Sequence, residues 1–522
     1  MNDQGRTWLY ISLVVLTVSI ATIFPRLMVI GGFPSTDEGF YAYQAQLIHS
    51  VLAVGQGLPD EGSIGLYPML LSWLFELPGN SLILFRLADL IVAIIASCIF
   101  FRVLERVSGS RIGGALIALV FLFTMNQPIF IQTGFKNSIF AACIPLFVAF
   151  LLAQGVAGQK NKNWAGVGAL VAISVLLRET FVPFLFLGAL AAVVSAGWRA
   201  CFRFVFGAAL AGLGITFCIV AARGGVVELI DSYVEMGAIF ASFEDRRIPH
   251  FIKFGALSAD VSRITLILAG LSIIAIISSY LLRNRTVTLG QFCFWLACAL
   301  LPLLEPASKF GYPYHFSVCL PGLAGLSALG WRSFVAGNAR RIKNGIATIV
   351  LLIGSYMLLP QFTILMDSWP SAKIALLNAS SPLWPAESVS KSNFLLAADA
   401  IRQAAPPHAT LSISGFMFAL YPLTGLLPPS GSLSNLSATV AVLEFDAVRF
   451  EQALKACPPD VLMTTTRPIP GSELIRQVVE DTGFYEKVAT IPVSRDKSYG
   501  WAGGTVFKII KPYQGGCDRG VL

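Results

Sequence analysis

Residues 84–121 read LFRLADLIVAIIASCIFFRVLERVSGSRIGGALIALVF, two long apolar runs joined by a short basic segment. Each run, the second of which continues to residue 131, is long enough to cross the roughly 30 Å hydrocarbon core of a bilayer as a helix. Arg102, Arg106 and Arg111 lie between the runs, as expected for a short cytoplasmic loop. The stretch predicts two membrane-spanning helices joined on the cytoplasmic side.

The composition extends this prediction to most of the chain. Only 13% of the 522 residues are charged and 55% are hydrophobic, whereas about a quarter of the residues of a soluble domain are charged. Most Lys and Arg lie in short loops between apolar runs, so the net charge of +8 does not indicate a nucleic-acid partner. The predicted fold class is mainly α, a polytopic membrane helical bundle.

About eleven apolar segments are predicted to span the membrane. With the N-terminus in the cytoplasm, the Lys and Arg clusters of the connecting loops all lie on the cytoplasmic side. The first segment is too long for a signal peptide and lacks a small-x-small cleavage site, which predicts a retained signal anchor. The predicted spans lie near 8–30, 82–102, 112–131, 136–156, 164–181, 182–198, 202–222, 262–282, 288–305, 312–330 and 345–366.

The pattern changes after residue 367, where short β-rich runs alternate with helical patterns. We therefore predict a transmembrane domain over 1–366, with outer loops at 31–81 and 223–261, and a soluble α/β domain over 367–522. An odd number of spans places this C-terminal domain outside the cytoplasm, in the periplasm if the protein is in a cell inner membrane. The predicted strands are 410–414, 461–465, 488–493 and 505–510.

The nine cysteines contain no CxxC pair, and seven of them lie in or beside apolar segments, where Cys acts as a small hydrophobic residue. Cys457 and Cys517 lie in polar sequence, and a disulfide between them would form only if that region is exported. The sequence leaves this open. Four scattered His residues do not predict a metal cluster.

Two adjacent carboxylates, Asp37 and Glu38, follow the first span in the sequence PSTDEGFYAY. A carboxylate at the boundary between lipid and water can serve as a general base. Tyr41 and Tyr43 follow at helical spacing and are candidates to orient that base or to stack on a sugar. The structural alternative is that the acids cap a helix N-terminus and the tyrosines belong to the interfacial aromatic belt.

A second group of candidates lies where the chain re-enters the membrane after residue 306. Lys309, Tyr312, Tyr314 and His315 offer a cation, two phenols and an imidazole that could bind a phosphate at headgroup depth. The alternative is a snorkelling Lys309 in an aromatic belt.

Two arginines at the outer ends of spans are further candidate ligands. Arg178 adjoins Glu179, and Arg86 lies one helical turn before Asp89. Because an Arg near the membrane needs a partner, an Arg86–Asp89 ion pair is the expected role of the second arginine.

Together these motifs resemble the GT-C superfamily of membrane glycosyltransferases, in particular its protein O-mannosyltransferase and aminoarabinose (lipid A) transferase branch. The resemblance implies transfer of a hexosyl or pentosyl group from a polyprenyl-phosphate donor to an acceptor outside the cytoplasmic membrane, with inversion at the anomeric carbon. It covers about residues 8–330 and depends on the Asp37-Glu38-x-x-Tyr41 motif, Pro68, the double span at 84–121, the Leu-x-Arg178-Glu-Thr motif and the re-entry at 309–321.

The resemblance matches Asp37 with the family's catalytic acid in the first outer loop. An inverting single displacement needs one base for the acceptor hydroxyl and positive charge for the leaving phosphate. Asp37 would supply the first, and Arg178 and Lys309 the second.

The chain departs from its relatives in the second outer loop. Where they often carry an acid, residues 134–138 read GFKNS, which leaves Lys136 as a candidate phosphate ligand and weakens a metal-dependent mechanism. No cofactor is predicted. The acceptor, whether a lipid, a glycan or a protein, is not decided by the sequence.

Three other functions are alternatives to the transferase interpretation. A transporter or flippase of lipid-linked glycans should carry ionisable residues deep inside its spans and inverted repeats. A membrane scaffold would display the C-terminal domain without chemistry. A polymerase or ligase of lipid-linked polysaccharide would use the same class of donor. The transferase interpretation requires the acidic doublet to face an exterior cavity shared with Arg178 and Lys309.

Overall fold

A computed structural model gives the fold of the chain. The residues it describes are 3–32, 36–53, 66–79, 81–131, 138–155, 163–223, 247–281, 287–308, 312–337, 359, 362–377, 393–414, 417–429, 454–455, 457–465, 472–492 and 503–511.

Helices make up most of the described residues. From the N-terminus to residue 131 they are α1 (Asp3–Val18), α2 (Phe24–Val29), α3 (Thr36–Ala53), α4 (Leu66–Leu71), α5 (Ser81–Ser108), α6 (Arg111–Met125) and α7 (Pro128–Ile131). Next come α8 (Ser138–Gly155), α9 (Trp164–Leu177), α10 (Pro183–Ala196), α11 (Trp198–Arg223), α12 (Arg247–Val261), α13 (Arg263–Leu281) and α14 (Leu289–Leu300). The last are α15 (Leu304–Ser308), α16 (Pro313–Phe316), α17 (Leu320–Gly337), α18 (Trp369–Leu377), α19 (Asn393–Ala404), α20 (Leu420–Thr424) and α21 (Ser472–Asp481).

The chain divides into two compact units. The first comprises Met1–Ile30, Leu87–Thr216 and Asp245–Trp369, and the second comprises Gly31–Arg86, Phe217–Glu244 and Pro370–Leu522. The second unit therefore contains residues of the predicted first outer loop as well as the C-terminal region. A domain boundary at residue 366 stays a prediction.

Seven helical segments among the described residues are long and apolar enough to cross a membrane, and three shorter apolar helices accompany them. Each of these ten coincides with a predicted span, which identifies a multi-pass membrane protein. The remaining predicted span, 345–366, lies largely outside the described residues, so the count of eleven stays a prediction. The seven segments are Tyr10–Val29, Leu82–Ser108, Glu179–Ala196, Trp198–Val220, Arg263–Leu281, Leu289–Ala307 and Pro313–Val335; the shorter helices are Arg111–Met125, Ile139–Ala153 and Trp164–Leu177.

Helix α17 lies at the centre of the helix packing in the first unit, against α6, α13 and α14. Its glycines allow close approach: a Cβ added at Gly322 would lie 2.6 Å from the Cα of Ala299 in α14, and one added at Gly330 would lie 2.6 Å from the Cα of Ser272 in α13. Small residues at such crossings are how helices pack in lipid, where no hydrophobic effect drives them together.

The second unit contains a four-stranded sheet, with strands β1 (Leu411–Ser414), β2 (Val461–Thr465), β3 (Tyr485–Ile491) and β4 (Gly504–Ile509) in the order β1-β2-β4-β3. β1 is parallel to β2, and the other two pairings are antiparallel. Three strands begin within one residue of their predicted positions, but β3 begins three residues early because Tyr485 is buried in the core that α21 forms with the sheet. The extracytoplasmic position of this region stays a prediction.

Candidate functional site

The acidic doublet lies in the first turn of α3. The Glu38 side chain is 0% exposed, and its two oxygens accept hydrogen bonds from Arg86: Nε lies 2.6 Å from Oε1 and Nη2 lies 2.7 Å from Oε2. Arg86 also donates Nη1 to the carbonyl oxygen of Gly32 at 2.7 Å. Bidentate, charge-assisted pairs are the strong form of ion pair, so Glu38 is a carboxylate held in one orientation. The side chain of Asp37 lies outside the described residues.

Arg86 and Asp89 each form a long-range pair that the sequence did not predict. The structure joins Arg86 to Glu38, and it joins Asp89 to Arg26. Arg86 is thus an ion-pairing residue as expected, but with a partner that local spacing did not indicate. Its assignment as a substrate ligand, like the catalytic assignment of Glu38, stays a prediction.

The two tyrosines after the doublet differ in environment. Tyr43 is buried within the second unit, where its ring stacks on Tyr421 at a centroid distance of 4.3 Å and lies 6.0 Å from the ring of Phe418. Tyr41 is partly exposed, and its ring lies 6.2 Å from that of Phe40. Tyr43 therefore contributes to packing, and a substrate role for either tyrosine stays a prediction.

The sequence did not reveal a buried polar cluster around Arg26, which lies at the end of the first span and is 5% exposed. Its guanidinium donates to Asp89 through Nη1 and to Oδ1 of Asn126 through Nε at 2.6 Å, and it lies 4.6 Å from the ring centroid of Phe140. Nη2 of Arg26 has no hydrogen-bond partner among the described residues. The only sequence signal for this cluster was the charge of Arg26, which lies within an apolar run and next to Pro25.

The structure brings four other predicted ligands together in the first unit. Arg178 directly follows α9 and is buried; its Nε donates to Oγ1 of Thr180 at 3.1 Å, and its guanidinium lies 5.6 Å from the ring centroid of Tyr314. The His315 ring lies 4.1 Å from that of Tyr314, and the half-exposed Tyr312 lies 6.2 Å from His315. A guanidinium, two phenols and an imidazole thus share one cluster.

A groove of about 560 Å³ begins at Thr180, next to this cluster. That volume falls within the range of small-molecule sites. Its surface is largely apolar and includes two carboxylates, so it differs from the cationic site expected for a phosphate alone. The lining residues are Glu179, Thr180, Val182, Pro183, Phe186, Leu301, Leu304 and Glu305.

Two predicted cations, Lys136 and Lys309, lie outside the described residues. Within the described residues, no group of three His, Cys, Asp or Glu side chains could hold a metal ion. The expectation of no cofactor stays a prediction.

The described cysteines differ in oxidation state. Cys457 is disulfide-bonded, and its partner lies outside the described residues. The cysteines of the apolar segments are free thiols, namely Cys98, Cys143, Cys201, Cys218, Cys293, Cys298 and Cys319.

No protein-family model and no curated protein matches this sequence. Solved structures match it in fold. ArnT from Cupriavidus metallidurans bound to undecaprenyl phosphate matches with a TM-score of 0.57 and 14% identity, over 96% of this chain and 99% of ArnT. The apo form of the same ArnT matches with a TM-score of 0.51 and 13% identity, over 97% and 98% of the two chains.

This chain has the GT-C fold. The resemblance inferred from the motifs is confirmed at the level of the fold, and it extends beyond residues 8–330 to nearly the whole chain. The archaeal oligosaccharyltransferase AglB from Archaeoglobus fulgidus, in complex with an inhibitory peptide and a dolichol-phosphate, is a more distant match. Its TM-score is 0.49 at 12% identity, over 95% of this chain and 74% of AglB.

Proposed function

We propose that this protein is a membrane glycosyltransferase that moves a sugar from a polyprenyl-phosphate donor to an acceptor on the extracytoplasmic face. One observation carries the proposal. The fold of this chain matches ArnT over 96% of the chain's length, and the acidic doublet lies in the first turn of the buried helix α3. ArnT was solved with undecaprenyl phosphate, and that carrier is the class of leaving group that we assign to this chain.

The reaction we propose is a single displacement with inversion. The acceptor oxygen attacks the anomeric carbon while the bond from that carbon to the phosphate oxygen breaks, and the polyprenyl phosphate leaves with the electron pair. The acceptor proton passes to the carboxylate of Asp37. Arg178, Lys136 and Lys309 are the proposed cations for the charge on the leaving phosphate.

We assign the base to Asp37 rather than Glu38 because both oxygens of Glu38 are already engaged by Arg86. A carboxylate in a buried bidentate pair would have to break that pair to accept a proton. In this proposal Glu38 keeps Arg86 and the start of α3 in place, and its neighbour performs the proton transfer.

The test is release of polyprenyl phosphate, a readout that does not require the acceptor to be known. The detergent-purified wild type is mixed with a panel of polyprenyl-phosphate-linked hexoses and pentoses and with lipid, glycan and peptide acceptors. We expect acceptor-dependent release, and we expect Asp37→Asn to slow it by about 10²- to 10⁴-fold.

The matched control is Asp481→Asn, which makes the same change at an exposed Asp of α21 and should leave release unchanged. If the wild type released no polyprenyl phosphate from any donor, the transferase proposal would be wrong. If Asp37→Asn retained full activity, the base would be another group.

One observation favours a second candidate, a transporter or flippase of lipid-linked glycans. Such a protein should carry ionisable residues inside its spans, and Arg26 and Asp89 form a buried pair there, toward the ends of the spans Tyr10–Val29 and Leu82–Ser108 rather than deep inside them. Proteoliposomes containing a fluorescent polyprenyl-phosphate sugar separate the two functions. Movement of the intact donor across the bilayer, without release of polyprenyl phosphate, would favour the transporter.

A further inference from the structure

We propose that the segment Phe418–Leu423, which contains most of the short helix α20, is a positioning element for the first turns of α3. This inference rests on the proposed function, because α3 carries the residue assigned there as the base. It would make the C-terminal region an integral part of the catalytic unit rather than a separate module attached to it.

The first supporting contact involves Gly39, two residues after Asp37. A Cβ added at Gly39 would lie 2.8 Å from both the Cα and the Cβ of Ala419, which is closer than two carbons can approach without displacement. Only a residue without a side chain allows α3 to pack this tightly on the C-terminal region. The contact therefore constrains the first turn of α3 directly.

The second contact is an aromatic stack one helical turn further along α3. Tyr43 is 1% exposed and stacks on the fully buried Tyr421, and Phe418 packs edge-on against Phe40 at a centroid distance of 5.0 Å. Aromatic side chains bury large areas and have few rotatable bonds, so this stack resists both sliding and rotation of the helix.

A third contact extends the interface along the same face of α3. Nε2 of Gln46 donates to the carbonyl oxygen of Leu426 at 3.5 Å. Gly39, Tyr43 and Gln46 recur at helical spacing, so one face of α3 meets residues 418–426 over two turns.

The positioning element is itself fixed to the sheet and to α19. The backbone N–H of Ile413 in β1 donates to the hydroxyl of Tyr421 at 3.2 Å, and Nη2 of Arg402 donates to the carbonyl oxygen of Leu423 at 2.8 Å. Gly425 caps the C-terminus of α20 in the left-handed conformation, with φ of +73°, which turns the chain back toward β1. The sheet, rather than a loop, therefore sets the position of this segment.

The adjacent face of α3 is fixed by the Glu38–Arg86 pair. The start of α3 is thus held from two sides, by an ion pair and by the aromatic stack. Removing the stack should loosen the start of α3 while the Glu38–Arg86 pair and the packing of α3 on α4 remain, which predicts increased motion at the acidic doublet without global unfolding.

The test uses hydrogen–deuterium exchange, which reports on α3 whether or not the protein transfers sugars. In the detergent-purified full chain, Tyr421→Ala should speed the exchange of backbone amides 40–46 about tenfold or more. Tyr421→Phe keeps the ring and loses only the hydroxyl that accepts from Ile413, so these amides should exchange much more slowly than in Tyr421→Ala.

The matched control is Tyr485→Ala. It removes the same buried side chain from β3, at the opposite edge of the sheet from β1. This variant should speed exchange in β3 and α21 and leave the α3 amides unchanged. Unchanged α3 exchange in Tyr421→Ala, or an equal effect of Tyr485→Ala on α3, would overturn the positioning role.

Transfer kinetics then separate this inference from the proposed function. If the wild type is a transferase, Tyr421→Ala should lower kcat by about tenfold with little change in the KM for the donor, because it misplaces the base without altering donor contacts. If the wild type showed no transfer activity, the proposed function would be wrong, but the hydrogen–deuterium exchange result would still test the positioning role. A transferase whose kcat is untouched by Tyr421→Ala would refute positioning alone.

Discussion

Two buried ion pairs, Glu38–Arg86 and Arg26–Asp89, occupy environments of similar burial but differ in how completely they are satisfied. In the first, both carboxylate oxygens accept from one guanidinium, and the remaining Nη1 donates to the carbonyl oxygen of Gly32. In the second, the guanidinium donates to Asp89 and Asn126, but its Nη2 has no hydrogen-bond partner among the described residues.

This difference indicates that the two guanidiniums depend to different degrees on their carboxylate partners. Glu38 binds the Arg86 guanidinium through both carboxylate oxygens, in two charge-assisted hydrogen bonds. Arg26 is stabilised by several partners, because the Asn126 amide and the Phe140 ring face share its charge with Asp89. Loss of the carboxylate should therefore cost more at the first pair than at the second.

The largest expected effect is that of Glu38→Gln, which keeps the shape of the side chain and removes its charge. It removes the charge of the carboxylate that accepts two hydrogen bonds from the buried Arg86, and breaking a buried pair in this way costs about 3–5 kcal/mol. We expect a large fall in the free energy of unfolding, measured by thermal or denaturant unfolding in detergent.

Glu480→Gln is the matched control, because Glu480 pairs with Arg476 on the exposed surface of α21. Exposed pairs contribute about 0.2–1 kcal/mol, so this variant should unfold almost as the wild type does. The double variant Glu38→Gln/Arg86→Met removes both charges and should be more stable than Glu38→Gln alone. Equal stability of the single and double variants would mean that Arg86 does not depend on Glu38.

The second expected effect is that of Asp89→Asn, which should be clearly destabilising but less so than Glu38→Gln. The amide still accepts one hydrogen bond from Arg26, and Asn126 and Phe140 continue to stabilise the guanidinium. A loss of about 1–3 kcal/mol is expected from the weaker hydrogen bond and the missing charge. The same unfolding measurement checks it, and a loss larger than that of Glu38→Gln would reverse the comparison.

The same two ion pairs show which features of this structure can be predicted from the sequence and which cannot. The apolar run predicted as a span over 82–102 is the helix Ser81–Ser108, because the bilayer requires every backbone polar group to bond within its own segment. The C-terminal strands were predicted for a similar reason, because the alternation of apolar and polar residues and the β-branched residues are local signals of a strand. Elements set by local composition were therefore predicted well.

Pairing between distant residues was not predicted. Arg86 was expected to bond three residues along its own helix, but it bonds a glutamate 48 residues earlier in the chain, and Asp89 bonds an arginine 63 residues earlier. Neither partner can be read from spacing along one helix, because both depend on which helices lie side by side. The packing of Tyr43 on Tyr421 was missed for the same reason, since it joins segments at opposite ends of the sequence.

The smallest effect expected concerns the edge of the Arg26 cluster, where the hydroxyls of Thr22 and Ser97 form a hydrogen bond of 2.8 Å between fully buried side chains. Thr22→Val preserves the shape and removes the hydroxyl. Hydrogen bonds between membrane helices contribute about 0.6 kcal/mol on average, so the loss should be small.

A loss near that average would indicate that Arg26 is held by its own direct partners and that the surrounding hydroxyls add little. The Nδ2 group of Asn126 also lies 3.4 Å from Oγ1 of Thr22, while it bonds the carbonyl oxygens of Ala21 and Leu122 at 3.0 and 2.8 Å. Because Asn126 keeps these two stronger acceptors in Thr22→Val, its orientation toward Arg26 should not change. A double-mutant cycle with Asp89→Asn tests this: additive losses support independence, and a coupling above about 0.5 kcal/mol would mean that the hydroxyls and the ion pair form a single network.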